Sequence, residues 1–206
     1  MKPDGLRAPA FPALSGIVLA GGASRRMGTD KAELLLGGKS LLRRQTDKLR
    51  ALGIEDIMLS GERCPELPGV RTIPDEYRGQ GPLGGLHACL RSARNGACLA
   101  VSVDTPFVPA DALDRLCRSH AGGVTVLRHG EREEPLIAVY DRAAADAIAA
   151  LLDAGERSVR ALKRTVRWRC VDYSGPEELL MNCNTPEEFA EARRLMEEYA
   201  GAGLAL

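Results

Sequence analysis

The apolar positions of this chain come in short bursts separated by longer mixed stretches. Ile17, Val18 and Leu19 make residues 16–20 a first buried strand, which breaks at Gly21-Gly22. Residues 21–31 then form a loop with room for a helical turn. Residues 32–36 are a short apolar segment ending at Gly37-Gly38. Ser40 stands where a helix cap belongs, and leucines at 41, 42, 49 and 52 alternate with Arg, Gln, Asp and Lys. That spacing predicts an amphipathic helix over 41–52, closed by Gly53.

The same reading continues downstream. Strands are expected at 56–60, 70–73, 97–103, 123–127 and 136–140, with a late strand at 168–171. Residues 64–69 are a proline-bearing loop, and 129–134 a charged hairpin or loop. Helices are expected at 86–93, 110–117 and 142–152, with a short one at 158–163. Thr185-Pro186 opens a last helix to about residue 199, since Thr before Pro is a helix-start signal. Residues 74–85, PDEYRGQGPLGG, have the composition of a functional loop. The repeated strand–helix order predicts an α/β fold: one domain, a mostly parallel sheet and helices on both faces. Ligands of such sheets sit beyond the carboxyl ends of the strands. Residues 1–14, with Pro3, Pro9 and Pro12, read as a flexible leader. The domain then spans 15–200, and 201–206 form a tail.

Charge changes the picture only locally. Lys and Arg total 28, and Asp and Glu total 28, so no general nucleic-acid or anionic-membrane surface is expected. An anion site must come from clustering. The six cysteines form no C-x-x-C pair and the three histidines are scattered, which argues against zinc. Dispersed cysteines without a secretory signal fit a cytoplasmic protein. No stretch approaches the ~20 apolar residues that span a bilayer. Charge clusters such as 131–134 read as solvated faces.

The candidate chemistry lies at the strand ends. Gly21, Gly22 and Gly28 with Arg25, Arg26 and Lys31 make a glycine-rich loop carrying cations. Glycines let a backbone approach an anion, and Arg and Lys supply donors and charge. It is neither a Walker loop nor a dinucleotide fingerprint. Asp104 ends the apolar run VSVD. It is either a ligand for a hard cation such as Mg²⁺ or a turn residue before Pro106. Asp75 follows the 70–73 strand and either accepts hydrogen bonds from a base or ribose or caps a turn. Asn182 and Asn184 flank Cys183 in an extended piece, so their side chains share a face. Arg157, Arg160, Lys163, Arg164, Arg167 and Arg169 are either a solvated face or the border of an anionic second substrate.

Together LAGGASRRMGTDK, GPLGG, VDTPFVP, GEREEPLIAVY and NCNTPEE resemble the molybdenum cofactor guanylyltransferases of the MobA type, from Gly16 to about Arg194. The resemblance implies a Rossmann-like nucleotidyltransferase fold, Mg²⁺, and transfer of GMP from GTP to Mo-molybdopterin with release of pyrophosphate. It also implies partner proteins that deliver molybdopterin and mature molybdoenzymes. Leu19, Ala20, Gly21 and Gly22 would contact the nucleotide, and Arg26 and Lys31 its phosphates. Asp75 would bind the guanosine portion, and Asp104 the metal and phosphate. Gly81, Gly85, Asn182 and Asn184 would lie on the molybdopterin side. LAGG rather than LAAG, and NTPEE rather than a DTPED-like ending, resemble GTP users rather than CTP users. Ser60 stands where the family often has Asn. Ser158 stands where some members have an arginine, for which Arg157 or Arg160 would substitute. The alternatives are a cytidylyl- or sugar-1-phosphate nucleotidyltransferase, or a GTP-binding module without catalysis.

Overall fold

The computed structural model describes residues 11–20, 31–61 and 67–201. Its organising feature is a seven-stranded sheet built from β1 (Ser15–Leu19), β4 (Ile57–Ser60), β5 (Val70–Ile73), β6 (Ala97–Ser102), β7 (Val124–His129), β8 (Arg132–Asp141) and β9 (Trp168–Asp172). The spatial order is β5-β4-β1-β6-β8-β7-β9. β1 pairs in parallel with β4 and β6, and every one of its residues is buried. A strand covered on both faces needs apolar side chains on both, which is why its sequence is a continuous run rather than an alternation.

Four of the pairings are parallel, and the two made by β8, with β6 and β7, are antiparallel. The sheet is therefore mostly parallel, as the strand–helix order implies, with a hairpin folded into one half. A separate two-residue hairpin, β2 (Leu35–Leu36) and β3 (Lys39–Ser40), turns on Gly37 and Gly38, both at positive φ. It follows a single 3₁₀ turn at Lys31–Glu33.

Among the described residues α1 (Leu41–Ala51), α2 (Gly81–Ser92), α3 (Ala110–Ser119) and α4 (Ala144–Asp153) cover the sheet, and α5 (Pro186–Gly201) packs with Leu36, Leu41 and Phe107 beside it. One apolar layer joins Leu42 and Leu49 of α1 and Leu113 and Leu116 of α3 to Val18, Leu59 and Val101. On the other face Leu86 and Leu90 of α2 and Ile148 of α4 pack on Ile17, Met58 and Ala100. Successive residues of one strand thus feed opposite layers. Ser40 caps α1 by accepting from Arg43 N at 3.1 Å.

Three expectations change. Helix α2 starts at Gly81, five residues before the expected position, so GPLGG is its first turn and not a loop. Pro82 suits that first turn, where its missing N–H costs nothing. Gly84 and Gly85 sit inside the helix because of packing. A Cβ on Gly84 would lie 2.7 Å from the Tyr77 carbonyl oxygen, and one on Gly85 would lie 2.8 Å from the Ser60 side chain. Next, the leader's last residues are not loose: Phe11 and Leu14 are buried in the core. Their apolar side chains join the core layer that also holds Leu49 and Ile54. Finally, the 131–134 cluster is not simply solvated. Glu133 and Glu134 lie within β8 with side chains only 16% and 12% exposed.

Candidate active site

Lys31 and the segment 182–184 come together at the carboxyl end of β6. The Lys31 ammonium donates to Asn184 Oδ1 at 2.7 Å and lies 3.8 Å from Asp104 Oδ2. Burial lowers the Lys31 pKa, while the charges of Asp104, Cys183 and Glu188 oppose that shift.

Each member is held by the local fold. Asp104 follows β6 by two residues, and its carbonyl accepts from Cys183 N at 2.8 Å. Helix α1 grips the same turn: Gln45 Nε2 donates to the carbonyls of Ser102 at 2.7 Å and Thr105 at 2.9 Å. Lys48 Nζ donates to Pro106 O at 2.5 Å. The 182–184 segment is fixed by a capping box. Glu188 accepts from Asn184 N at 2.5 Å and Thr185 N at 3.1 Å, and Thr185 Oγ1 accepts from Glu188 N at 3.2 Å. Cys183 is fully buried while Asn184 is exposed and Asn182 half-buried, the alternation that an extended segment requires.

The other expected residues fall into three groups. Leu19 is buried and Ala20 half-buried; the Leu19 carbonyl accepts from Val103 N at 3.1 Å. With its side chain in the core, Leu19 meets a ligand only through its backbone. Asp75 and Gly85 adjoin: the Cβ that Gly85 lacks would stand 3.3 Å from Asp75 Oδ1. Gly85 therefore packs against Ser60 and Asp75. Gly81 opens α2 at a φ of +65°. Arg157 and Arg160 are exposed, and Arg160 donates to the Glu133 carbonyl at 2.7 Å. Gly21, Gly22 and Arg26 lie outside the described residues.

Glu134 was not anticipated: the fold brings its carboxylate close enough to Asp104 for the two charges to interact. Val126 pairs with Ala138 but Leu127 pairs with Glu134, so residues 135–137 are looped out of the ladder. The buried Tyr140 hydroxyl donates to the Pro135 carbonyl and pins this bulge. β8 runs antiparallel to β6, so its residues before Ala138 extend past the carboxyl end of β6, beside Asp104. Burial pushes the Glu134 carboxyl up; Arg132 and Arg160 oppose the shift and Asp104 adds to it. The readable signal was Pro135, since a proline inside a strand pattern marks a bulge.

Chemically the site offers a buried ammonium, a carboxylate with 23% of its side chain exposed and an exposed amide. Among the described residues no group of three or more His, Cys, Asp or Glu could hold a metal ion. Asp104 fits a hard cation that takes one protein carboxylate and completes its shell with substrate phosphates and water.

The sheet that sets Lys31 and Asp104 over its strand ends is that of a nucleotidyltransferase, as its family model shows. The MobA-like NTP transferase domain model matches residues 16–168, and the chain belongs to that family. A probable molybdenum cofactor guanylyltransferase from Pelotomaculum thermopropionicum is 37% identical over 89% of this chain and 93% of its own length. A molybdenum cofactor guanylyltransferase from Cereibacter sphaeroides is 36% identical over 91% of this chain and 99% of its own. The crystal structure of molybdopterin-guanine dinucleotide biosynthesis protein A from Archaeoglobus fulgidus superposes with a TM-score of 0.73. It is 24% identical and covers 90% of this chain and 100% of its own, a likeness of fold.

Proposed function

We propose that this chain transfers GMP from GTP to Mo-molybdopterin, forming the guanine dinucleotide cofactor and releasing pyrophosphate. The relatives named as molybdenum cofactor guanylyltransferases support this reading. The observation that carries it is the Lys31 ammonium held between Asn184 and Asp104. In this reading a terminal phosphate oxygen of molybdopterin attacks the α-phosphorus of GTP. The new O–P bond forms as the bond to the β-phosphate bridging oxygen breaks, and pyrophosphate leaves with that electron pair. The nucleophile is already ionised, so the protein supplies alignment and charge neutralisation instead of a base.

Lys31 and Arg26 neutralise the phosphates, and Leu19, Ala20, Gly21 and Gly22 offer backbone to the nucleotide. Asp75 takes the guanosine portion. Asn182 and Asn184, with Gly81 and the cations Arg157 and Arg160, face the acceptor. Asp104 would hold Mg²⁺, which supplies charge neutralisation of phosphate oxygens when bound. Among the described residues no helix is long and apolar enough to cross a membrane. A cytoplasmic setting, with proteins that hand over molybdopterin and accept the product, completes the proposal.

The test incubates purified protein with Mg²⁺ and follows pyrophosphate. GTP with Mo-molybdopterin is expected to release it, whereas CTP with Mo-molybdopterin and GTP with a sugar 1-phosphate are not. Release from either of the latter pairs at the rate of the first overturns the assignment. So does GTP binding without any release.

A further inference from the structure

A second cavity lies on the flank of α1, formed with the segment 107–111, Leu179 and Tyr199, and has a volume of about 560 Å³. That is the size of a small-molecule pocket. Its walls are of two kinds. Phe107, Val108, Leu179 and the ring of Tyr199 are apolar, while Arg44 and Lys48 bring cations. The proposed transfer reaction uses none of these residues.

The charge inventory favours an anion. Asp47, one carboxylate of the lining, is already met by Lys39 at 3.0 Å, Arg43 at 2.9 Å and Arg50 at 3.7 Å. Asp111, the other, accepts from a neutral donor, Ala112 N at 2.9 Å, so the lining sets three cations, Lys39, Arg44 and Lys48, against two carboxylates. Lys48 has a neutral partner, the Pro106 carbonyl, and Arg44 donates to the Leu36 carbonyl through Nε at 3.0 Å and Nη2 at 2.8 Å with the Asp47 charge beside it. Part of its surface is accessible, but it opens into this cavity. Burial, with the Arg44 charge beside it, lowers the Lys48 ammonium to about 7. Two adjacent, poorly solvated cations against an apolar wall complement a ligand with one anionic end and an apolar body.

We infer that this cavity is a binding site for a small amphipathic anion, its carboxylate or phosphate on Lys48 and Arg44 and its apolar body against Phe107, Val108 and Leu179. Such a ligand sits behind the Pro106 carbonyl, two residues from Asp104. The site is distinct from the one at Lys31, and the inference stands whichever substrates the transfer site takes.

Isothermal titration of the full chain with octanoate, octyl phosphate and the neutral control octanol tests it. Octanoate and octyl phosphate are expected to bind with one-to-one stoichiometry, and octanol at least about tenfold more weakly. Whichever acid binds more tightly tells a carboxylate ligand from a phosphate one. Ala51 is an exposed residue of the cavity rim, so Ala51→Trp fills the cavity without disturbing the core. It should weaken binding at least about tenfold, as should Lys48→Gln, while Ala51→Trp keeps its melting temperature and GTP-dependent pyrophosphate release. No saturable binding, octanol binding as tight as octanoate, or undiminished binding to Ala51→Trp overturns the inference. Should Lys48→Gln fail to fold, Ala51→Trp alone decides.

Discussion

The Lys31 ammonium donates to the Asn184 side-chain oxygen at 2.7 Å, across 153 residues of chain. Lys31 and the approach to the last helix therefore meet at one point, with Asp104 3.8 Å from the same nitrogen. Lys31→Met is expected to reduce transfer by about 10²–10³-fold, the usual cost of removing a group that stabilises developing charge. Asn184→Ala should cost about tenfold by letting the ammonium wander. Because the two act as a unit, the double variant should be no worse than Lys31→Met. A double-mutant cycle on the rate of pyrophosphate release checks this; additive losses would show that the contact has no part in transfer.

Asp104→Asn should leave the fold intact. The tie from Cys183 runs to the Asp104 backbone carbonyl, and Gln45 holds the neighbouring carbonyls, so the side chain is not structural. Transfer is expected to fall by about 10²–10³-fold and to lose its response to Mg²⁺. Circular dichroism and a metal titration of the rate separate the two effects. Wild-type activity in this variant would remove Asp104 from the reaction.

Gly85→Ala should be destabilising even though alanine is the better helix former. The added methyl would stand 2.8 Å from Ser60 and 3.3 Å from Asp75 Oδ1. We expect a loss of about 1–3 kcal/mol in urea unfolding and weaker GTP binding, as Asp75 is displaced. Ser60→Gly in the same chain should restore both by giving the methyl room. Rescue of stability alone would separate Asp75 from the nucleotide.

Lys48 makes stability depend on pH in an unusual direction. Burial lowers its ammonium from 10.5 to about 7 in the folded chain. Between those values the unfolded state holds more protons, so this group makes the fold more stable as pH rises. Lys48→Met removes that penalty, which outweighs the single carbonyl bond it also loses. The expected gain is about 2–4 °C in Tm at pH 7, the shift that ~1 kcal/mol makes in a chain of this size. It should be larger at pH 6 and fade towards pH 10. A gain that stays constant with pH would mean the ammonium is not desolvated.

The sequence was most readable where one physical rule dominated. The runs through Ile17–Leu19 and Leu99–Val101 read directly as buried strands, and Thr185-Pro186 announces a capped helix. Reading failed where two rules compete. Gly84 and Gly85 have poor helix propensity, yet they lie in a helix because Tyr77 and Ser60 leave no space for a side chain. Glu134 looked like solvent-facing charge because a run of charged residues outweighed Pro135, the one local mark of the bulge. Lys48 and Gln45 occupy polar positions of an amphipathic pattern. Nothing local reveals that the β6–α3 segment covers them and that both bind its carbonyls.

β6 pairs in parallel with β1 on one side and antiparallel with β8 on the other. Asp104 thus stands on a seam between two architectural cassettes. One contributes the first loop and Asp75; the other contributes Glu134, Arg160 and the rest of the cationic run. A lineage can remodel the second cassette to accept a new phosphate-bearing partner while the first keeps its nucleotide. In the proposed reading, replacing 121–184 as a block moves Glu134, Arg157, Arg160, Asn182 and Asn184 together, with the first break falling in the loop after α3.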